Sequence, residues 1–389
     1  MLTKNRGTTG KISKCRQPRG KAVLQRRVEH PESIRASAPV VAPSVLRGLS
    51  RALRSAPITM RPILCALLAI GLLLTSSPAR AQLVPGSMAA HWNPGAPDCA
   101  TNPQPPIQVH PYNARTFILR ENPCATAEAP FMYLLVGSTK ALLIDTGDVA
   151  DPKQMPLAQT VMPLLPAAGQ GKLPLLIVHT HGHLDHRLGD SQFQPLSNVE
   201  IVPTDLAHVR QYFGFSDWPN GVAQVDLGDR TIDVIPTPGH YPSHVSYYDR
   251  QTGLFFSGDF FLPGHLIIDD AKADLASANR VADFIRNRPV TYVLGGHIEL
   301  DANGEMLPLA SHYHPHEHAL QLTKQDLLAL PAIVNSFNGF YSKNGMFVLY
   351  SQTRILLAMG LVLIVVLVAF AMLLRWLLRR RKRARTMLA

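Results

Sequence analysis

The sequence predicts an α/β domain in the middle of the chain, followed by one membrane-spanning helix. Between residues 107 and 335, short apolar runs bounded by turn residues alternate with helical patterns. An uncharged run of 20 residues, 355–374, is long enough to cross a bilayer as a helix. These two observations place the folded domain before the membrane helix.

Charge is distributed unevenly along the chain. Residues 1–61 hold 14 Lys and Arg against 2 Glu, and seven more basic residues lie from Arg375 onward. The middle of the chain therefore carries a net charge of −8, although the whole chain is +11. A domain of this sign has no overall electrostatic basis for binding DNA or RNA, so we expect no nucleic-acid partner.

The amino-terminal region has the composition of a processed or untranslated segment. Residues 1–59 are basic and poor in core-forming residues, which predicts disorder; a basic arm for nucleic acid is the alternative. We interpret Met60 as the working start. Residues 60–81 then form a secretory signal peptide, with a basic start, a short apolar stretch and a small-residue cleavage site. A retained transmembrane helix is the alternative, but the apolar stretch is short for one.

The carboxyl end predicts a membrane anchor. A juxtamembrane segment, 336–354, leads into a transmembrane helix, 355–378, and a basic tail, 379–389. The positive-inside rule places this tail in the cytoplasm. We therefore expect a single-pass protein of the cytoplasmic membrane with its domain on the periplasmic or extracellular side. A buried core helix is the alternative for the apolar run.

Residues 82–106 are rich in proline and predict an extended linker, so the domain is expected at 107–335. The predicted strands are 131–136, 141–144, 175–178, 199–202, 231–235, 245–248, 254–256 and 290–294. The predicted helices are 155–165, 206–213 and 271–287.

Two cysteines, Cys99 and Cys124, remain in the part expected to be exported. An even pair in an oxidising compartment predicts a disulfide, with two free structural thiols as the alternative. Neither lies near a candidate ligand in the sequence, so a catalytic thiol is not expected.

The most informative stretch is residues 173–186, where an apolar strand runs into a loop with His181, His183, Asp185 and His186. Imidazoles and a carboxylate suit a divalent ion such as zinc. His181 and His183 are two residues apart, so an extended backbone directs both to one side. Asp185 and His186 follow directly and suggest a second ion. A histidine-rich solvent loop is the alternative.

The segment Thr180–His186 resembles the T-H-x-H-x-D-H signature of the metallo-β-lactamase fold superfamily. Further landmarks of that superfamily have counterparts here in chain order. They are a strand ending in a supporting aspartate (142–147), a turn with the third histidine (236–240), a strand-end aspartate (255–259) and a final histidine (294–297).

The resemblance implies an αββα four-layer sandwich with two divalent metal ions on loops at one edge of the sheets. It assigns three histidines to the first ion, an aspartate and two histidines to the second, and a bridging aspartate to both. These are His181, His183 and His240; Asp185, His186 and His297; and Asp259. Zinc is the expected metal, with iron and manganese as alternatives.

The resemblance implies a dinuclear metal-dependent hydrolase of a small-molecule ester-type substrate, a thioester, lactone or phosphoester, attacked by a metal-bridging hydroxide that Asp185 orients. The Asp259 position differs from the true β-lactamase branches and resembles glyoxalase II and lactonase relatives. The alternatives are an oxidoreductase like the mononuclear-iron sulfur dioxygenases, a β-lactam hydrolase, and a membrane-tethered binding module without turnover.

Other histidines leave their roles open. His179 reads as a strand-end residue, and His244 as a hydrogen-bonding residue or a further site histidine. The alternating histidines of segment 312–318 could line the pocket rim, trap another ion or form a solvated loop. Tyr241 and Tyr313 are candidate substrate-contacting hydroxyls.

Overall fold

The computed structural model describes residues 82–386, except 102, 103 and 309. The predicted basic segment 1–59 and signal peptide 60–81 lie outside the described residues. The helices of this part are α1 (Leu157–Leu164), α2 (Leu206–Phe213), α3 (Ala271–Ile285), α4 (Lys324–Asn335) and α5 (Gln352–Thr386). Its strands are β1 (Ile107–Asn113), β2 (Thr116–Glu121), β3 (Phe131–Val136), β4 (Ala141–Ile144), β5 (Ala167–Ala168), β6 (Gly171–Lys172), β7 (Leu175–Val178), β8 (Val199–Ile201), β9 (Ala223–Asp226), β10 (Thr231–Pro236), β11 (Val245–Asp249), β12 (Leu254–Gly258), β13 (His265–Ile267), β14 (Tyr292–Gly295), β15 (Gln321–Leu322), β16 (Tyr341–Asn344) and β17 (Phe347–Tyr350).

Most strands belong to two six-stranded sheets. The first has the order β1-β2-β3-β4-β7-β8, and the second has the order β15-β14-β12-β11-β10-β9. Every residue of β3, β4 and β7 is buried. Strands covered on both faces need apolar side chains at every position, which explains why these segments read as continuous apolar runs rather than alternating ones.

Three apolar clusters define the layers. One lies between the two sheets, where the rings of Tyr133 and Phe256 approach to 4.7 Å. A second joins the second sheet to α3 and α4 through residues such as Val281 and Leu330. The third joins the first sheet to α1 through Val161. The order is helix, sheet, sheet, helix, and the predicted α/β class is confirmed.

The strands that carry the site end at the same edge. β4 and β7 are parallel in the first sheet, and β12 and β14 are parallel in the second. β10 is antiparallel to β11, which is antiparallel to β12, so β10 runs in the same direction as β12. The loops after these five strands contain all the predicted ligands, so the topology brings distant parts of the sequence together.

A small third sheet, β13-β17-β16, leads to the last helix. β17 ends at Tyr350, and α5 begins two residues later. Within the described residues, the span Gln352–Arg380 of α5 is long and apolar enough to cross a membrane by length and composition, and its most apolar part is wholly exposed. The segment predicted as juxtamembrane therefore contains β16 and β17, and the predicted span lies within α5.

The amino-terminal segment 82–106 lies against the domain. The Val84 amide donates to the carbonyl of Gln251 at 2.8 Å, and the Trp92 ring packs edge-on against Phe131 at 5.0 Å. A disulfide joins Cys99 to Cys124, with their Cα atoms 5.2 Å apart. The predicted cysteine pairing is present in the structure, and the proline-rich segment is attached through it to the loop after β2.

Candidate metal centre

The structure brings the seven predicted ligands into two adjacent groups. The three-histidine group contains His181, His183 and His240, and the carboxylate group contains Asp185, His186, Asp259 and His297. Within each group, one potential ligand atom per residue lies within 4.8 Å of all the others. Within the described residues these are the groups that could hold a metal ion; the roles of their members as ligands remain a prediction.

The three-histidine group is compact. His181 Nε2 lies 2.8 Å from His183 Nδ1, and His240 Nε2 lies 3.2 Å and 3.1 Å from these two atoms. Burial, followed by the neighbouring imidazoles, lowers the pKa of His181 well below its ordinary value. Burial also lowers the pKa of His183. Both rings are therefore neutral near pH 7, the form in which imidazole binds a metal.

The carboxylate group is charged. The Asp185 carboxylate lies 3.2 Å from the Nε2 atoms of both His186 and His297. Burial alone would lower the pKa of His297, but the carboxylates of Asp259 and Asp185 raise it to about 10. The pKa of Asp185 is lowered, because His186 and His297 outweigh the opposing effect of burial. The two carboxylates thus strongly stabilise positive charge on the His297 ring.

Asp259 lies between the two groups. Its Oδ2 atom is 3.4 Å from His186 Nε2, and it is 4.0 Å from His181 Nε2 and 3.9 Å from His240 Nε2. Gly296 permits this approach, because a side chain there would collide with the Asp259 carboxylate and the His186 ring. The Asp259 carboxylate therefore approaches histidine nitrogens of both groups.

Three ligand histidines are oriented by hydrogen bonds from their outer nitrogens. His186 Nδ1 donates to Asp145 Oδ2 at 2.9 Å. His297 Nδ1 donates to the Glu128 carbonyl at 2.8 Å, and His240 Nδ1 donates to the Ile267 carbonyl at 3.1 Å. Carbonyl and carboxylate oxygens only accept, so in these rings Nδ1 carries a proton and Nε2 faces the centre, where it offers a lone pair to a cation when it carries no proton itself.

Asp145 holds the histidine loop in place. Its backbone has a φ of 63°, a left-handed conformation that aspartate tolerates better than most residues. Its carboxylate accepts hydrogen bonds from the Thr180 amide at 2.7 Å and the Thr180 hydroxyl at 2.9 Å, besides the one from His186. The supporting aspartate implied by the resemblance therefore contacts the loop directly.

The residues of the centre fit divalent cations. Lone pairs of the three-histidine group face one another at about the distance of a hydrogen bond, an arrangement that a shared cation stabilises. The buried Asp259 Oδ1 has no hydrogen-bond partner within the part of the chain that the structure describes. Two carboxylates and neutral imidazoles are the donor set that zinc, iron and manganese accept.

The remaining histidines lie outside the two groups. His179 is buried and lies 2.9 Å from Asp190 Oδ1. His244 contacts Thr237 Oγ1 at 2.8 Å and stacks near His181, and burial lowers its pKa well below the ordinary value. His312 donates to the Pro123 carbonyl, and His314 pairs with Glu317. Within the described residues, segment 312–318 forms no third group of metal ligands.

A small cavity of about 70 Å³ adjoins the carboxylate group. His297 lines one side, and Glu128, His265, Glu299 and His314 line others. Burial raises the pKa of Glu128.

The sequence does not predict that the backbone carbonyls of Glu128 and Ile267 accept hydrogen bonds from His297 and His240. Every residue has a carbonyl, so this role leaves no signal in the sequence.

Comparisons with known proteins support the resemblance. Residues 125–297 match the family model described as metallo-beta-lactamase superfamily. An acyl-coenzyme A thioesterase MBLAC2 from Gallus gallus is 26% identical over 236 residues, which cover 52% of this chain and 84% of that protein. A hydroxyacylglutathione hydrolase from Anaeromyxobacter dehalogenans (strain 2CP-C) is 32% identical over 131 residues, covering 33% of this chain and 45% of that protein.

Among solved structures, a metallo-beta-lactamase from Pontibacter korlensis covers 59% of this chain and 100% of that chain, with 16% identity and a TM-score of 0.41. The predicted resemblance to the metallo-beta-lactamase superfamily is confirmed by this family match over residues 125–297.

Proposed function

We propose that the protein is a dinuclear metal-dependent hydrolase of ester-type bonds, with thioesters as the first substrate class to test. The hydrolase class follows from the superfamily match and from relatives named as a thioesterase and a hydroxyacylglutathione hydrolase. The observation that carries the dinuclear part is the position of Asp259, which lies within 4.0 Å of histidine nitrogens from both groups.

In this proposal the three-histidine group would hold one ion, the carboxylate group would hold the other, and Asp259 would contribute to both. When bound, such ions polarise the carbonyl of an ester and make water nucleophilic near neutral pH. Zinc is the metal we expect, because histidine nitrogens and carboxylate oxygens are typical zinc ligands. The hydrogen bonds to Asp145, Glu128 and Ile267 keep the histidine rings in the orientation that binding requires.

We assign Asp185 as the residue whose ionised carboxylate orients the attacking water. Its carboxylate is partly exposed, unlike the buried His186, and the lowered pKa keeps it ionised. Attack on the acyl carbon breaks the C–O or C–S bond, and the proton leaves with the alcohol or thiol. Tyr241, whose ring lies 4.9 Å from that of His183, is placed to contact the substrate.

We further propose that α5 anchors the domain as a single-pass helix in the cytoplasmic membrane, with the basic tail in the cytoplasm. Its length, its exposed apolar surface and the basic residues that follow support this topology. The catalytic domain would then lie on the periplasmic or extracellular side, as a disulfide between Cys99 and Cys124 also favours.

The test is hydrolysis by the zinc-loaded full chain of a panel of short-chain thioesters, lactones, phosphoesters and β-lactams. We expect thioester turnover that an Asp185→Asn change reduces about 10²-fold in kcat, because the attacking water is no longer held in position. Asp283→Asn is the matched control, because Asp283 is exposed on α3 and its carboxylate pairs with Arg286 rather than with a candidate ligand. Undiminished activity of Asp185→Asn would contradict the mechanism.

A further inference from the structure

Helix α5 has features of a bilayer span at its carboxyl end. The uncharged run 355–374 rises about 30 Å at 1.5 Å per residue, which matches the hydrocarbon thickness of a bilayer. Beyond it, exposed Trp376 lies under the Arg380 guanidinium at 4.2 Å. A tryptophan next to a basic residue is typical of the membrane–water interface.

The amino-terminal end of α5 has a matching pair of aromatic residues, supplied by a neighbouring strand. Phe340 and Tyr341 are 47% and 51% exposed. The Ser351 amide donates to the Phe340 carbonyl at 3.2 Å, and Tyr341 pairs with Tyr350 across β16 and β17. Large aromatic side chains exposed at the level where an apolar helix begins suit the headgroup layer of a membrane.

The same small sheet touches the metal centre. His240 Nδ1 donates to the carbonyl of Ile267, the last residue of β13. Ile267 pairs with Tyr350 of β17, and the Thr353 amide of α5 donates to Asp269 at 3.3 Å. Neighbouring strands lie about 4.8 Å apart, and a strand rises about 3.3 Å per residue. From these spacings, the His240 ring lies on the order of 15 Å from the start of α5.

The cavity beside His297 shares this wall. His265 of β13 lines the cavity, and its ring packs edge-on against Tyr350 at 5.3 Å. Tyr350 is followed by Ser351 and then by α5. The cavity beside His297 is therefore connected through one pair of strands to the point where the chain would enter the membrane.

We propose that Phe340 and Tyr341 rest in the headgroup layer, and that the centre hydrolyses an acyl ester or thioester whose apolar chain is held in the bilayer. This inference rests on the proposed function and names its substrate class. Water adds to the acyl carbon, the bond to oxygen or sulfur breaks, and a fatty acid and an alcohol or thiol are released. A substrate held at the surface reaches the site without leaving the membrane completely.

The experiment uses the zinc-loaded full chain in phosphatidylcholine vesicles, with a short-chain water-soluble thioester and a long-chain thioester incorporated in the vesicles. The double change Phe340→Ser and Tyr341→Ser is compared with Tyr212→Ser, which alters an exposed tyrosine on α2. We expect the double variant to lower kcat/KM for the long-chain substrate at least tenfold and to leave the short-chain rate within twofold. Equal rates of the wild type and the double variant on the long-chain substrate would overturn the inference.

A second measurement does not depend on activity. A polarity-sensitive fluorophore on Tyr341→Cys should shift to the blue on reconstitution into vesicles, and one on Tyr212→Cys should not. No shift at position 341 overturns the membrane contact even if every thioester is hydrolysed. Conversely, a shift at 341 without turnover of any short-chain substrate supports the membrane contact and overturns the proposed function.

Discussion

The two halves of the metal centre are built differently. In the three-histidine group, two members lie in one short stretch, and burial keeps the His181 ring neutral. In the carboxylate group, two members lie in that same stretch, and the carboxylates of Asp259 and Asp185 raise the pKa of His297 to about 10. The first half is a preorganised set of neutral donors, whereas the second is an anionic site that requires positive charge.

This difference separates the effects expected from each half. A preorganised neutral group should bind its ion with little change in protonation. The carboxylate group must release protons from its histidines when a cation binds, so its affinity should rise more steeply with pH. Changes that affect one half only should therefore be distinguishable by metal affinity and by pH dependence.

The largest effect is expected where the halves meet. Asp259→Asn should lower kcat/KM by about 10³-fold, because it removes the charge shared by both groups and metal chemistry is worth several kcal/mol. The measurement is thioester hydrolysis together with metal content per chain. Full activity with both ions retained would show that Asp259 is not a bridge.

A smaller effect should fall mainly on the carboxylate group, because an amide oxygen at position 145 can still accept the hydrogen bond from the Thr180 amide. Asp145→Asn keeps the size of the side chain and its tolerance of the left-handed backbone, but it weakens the hydrogen bond from His186. We expect the affinity for the second ion to fall about 10–100-fold. Calorimetric zinc titration would detect this, and an equal loss at both sites would show that the halves are not independent.

The pH dependence of stability should differ between metal-free and metal-loaded protein. The pKa of His297 is raised from 6.5 to about 10, so its contribution is fully present below pH 6.5 and is lost as pH rises toward 10. We expect chelated wild type to lose stability across this range in denaturant unfolding. His297→Gln should reduce that slope, and an unchanged slope would place its cause elsewhere.

The disulfide should matter for stability more than for chemistry. Cys99→Ser opens a link between residues 25 apart, for which chain entropy gives about 3 kcal/mol. Because neither cysteine belongs to the two groups of candidate ligands, the zinc affinity of the three-histidine group should be unchanged. Urea unfolding and zinc titration of the variant test the two parts separately. A Cys99→Ser variant that loses zinc binding but keeps the stability of the wild type would contradict this prediction.

Most of the candidate site could be predicted from the sequence, because the candidate ligands are side chains with a distinctive order. His181, His183, Asp185 and His186 lie in one stretch, and His240, Asp259 and His297 each follow a strand. The carbonyls of Glu128 and Ile267 could not be identified in this way. They depend on how two loops approach the centre in three dimensions.

Some elements were missed for identifiable reasons. Helix α4 contains Pro331, which weakens its helical pattern, although the capping box formed by Thr323 and Asp326 was available as a start signal. Strands β16 and β17 were assigned to the juxtamembrane segment because the adjacent apolar run dominated that region. β13 has three residues, too few for its alternation to be recognised.

The most direct test of the central claim is the metal content of the full chain after zinc loading and removal of excess ion. Two zinc ions per wild-type chain, with fewer in Asp259→Asn, are what a centre of two groups sharing one carboxylate predicts. A single ion in the wild type, unchanged by Asp259→Asn, would contradict it.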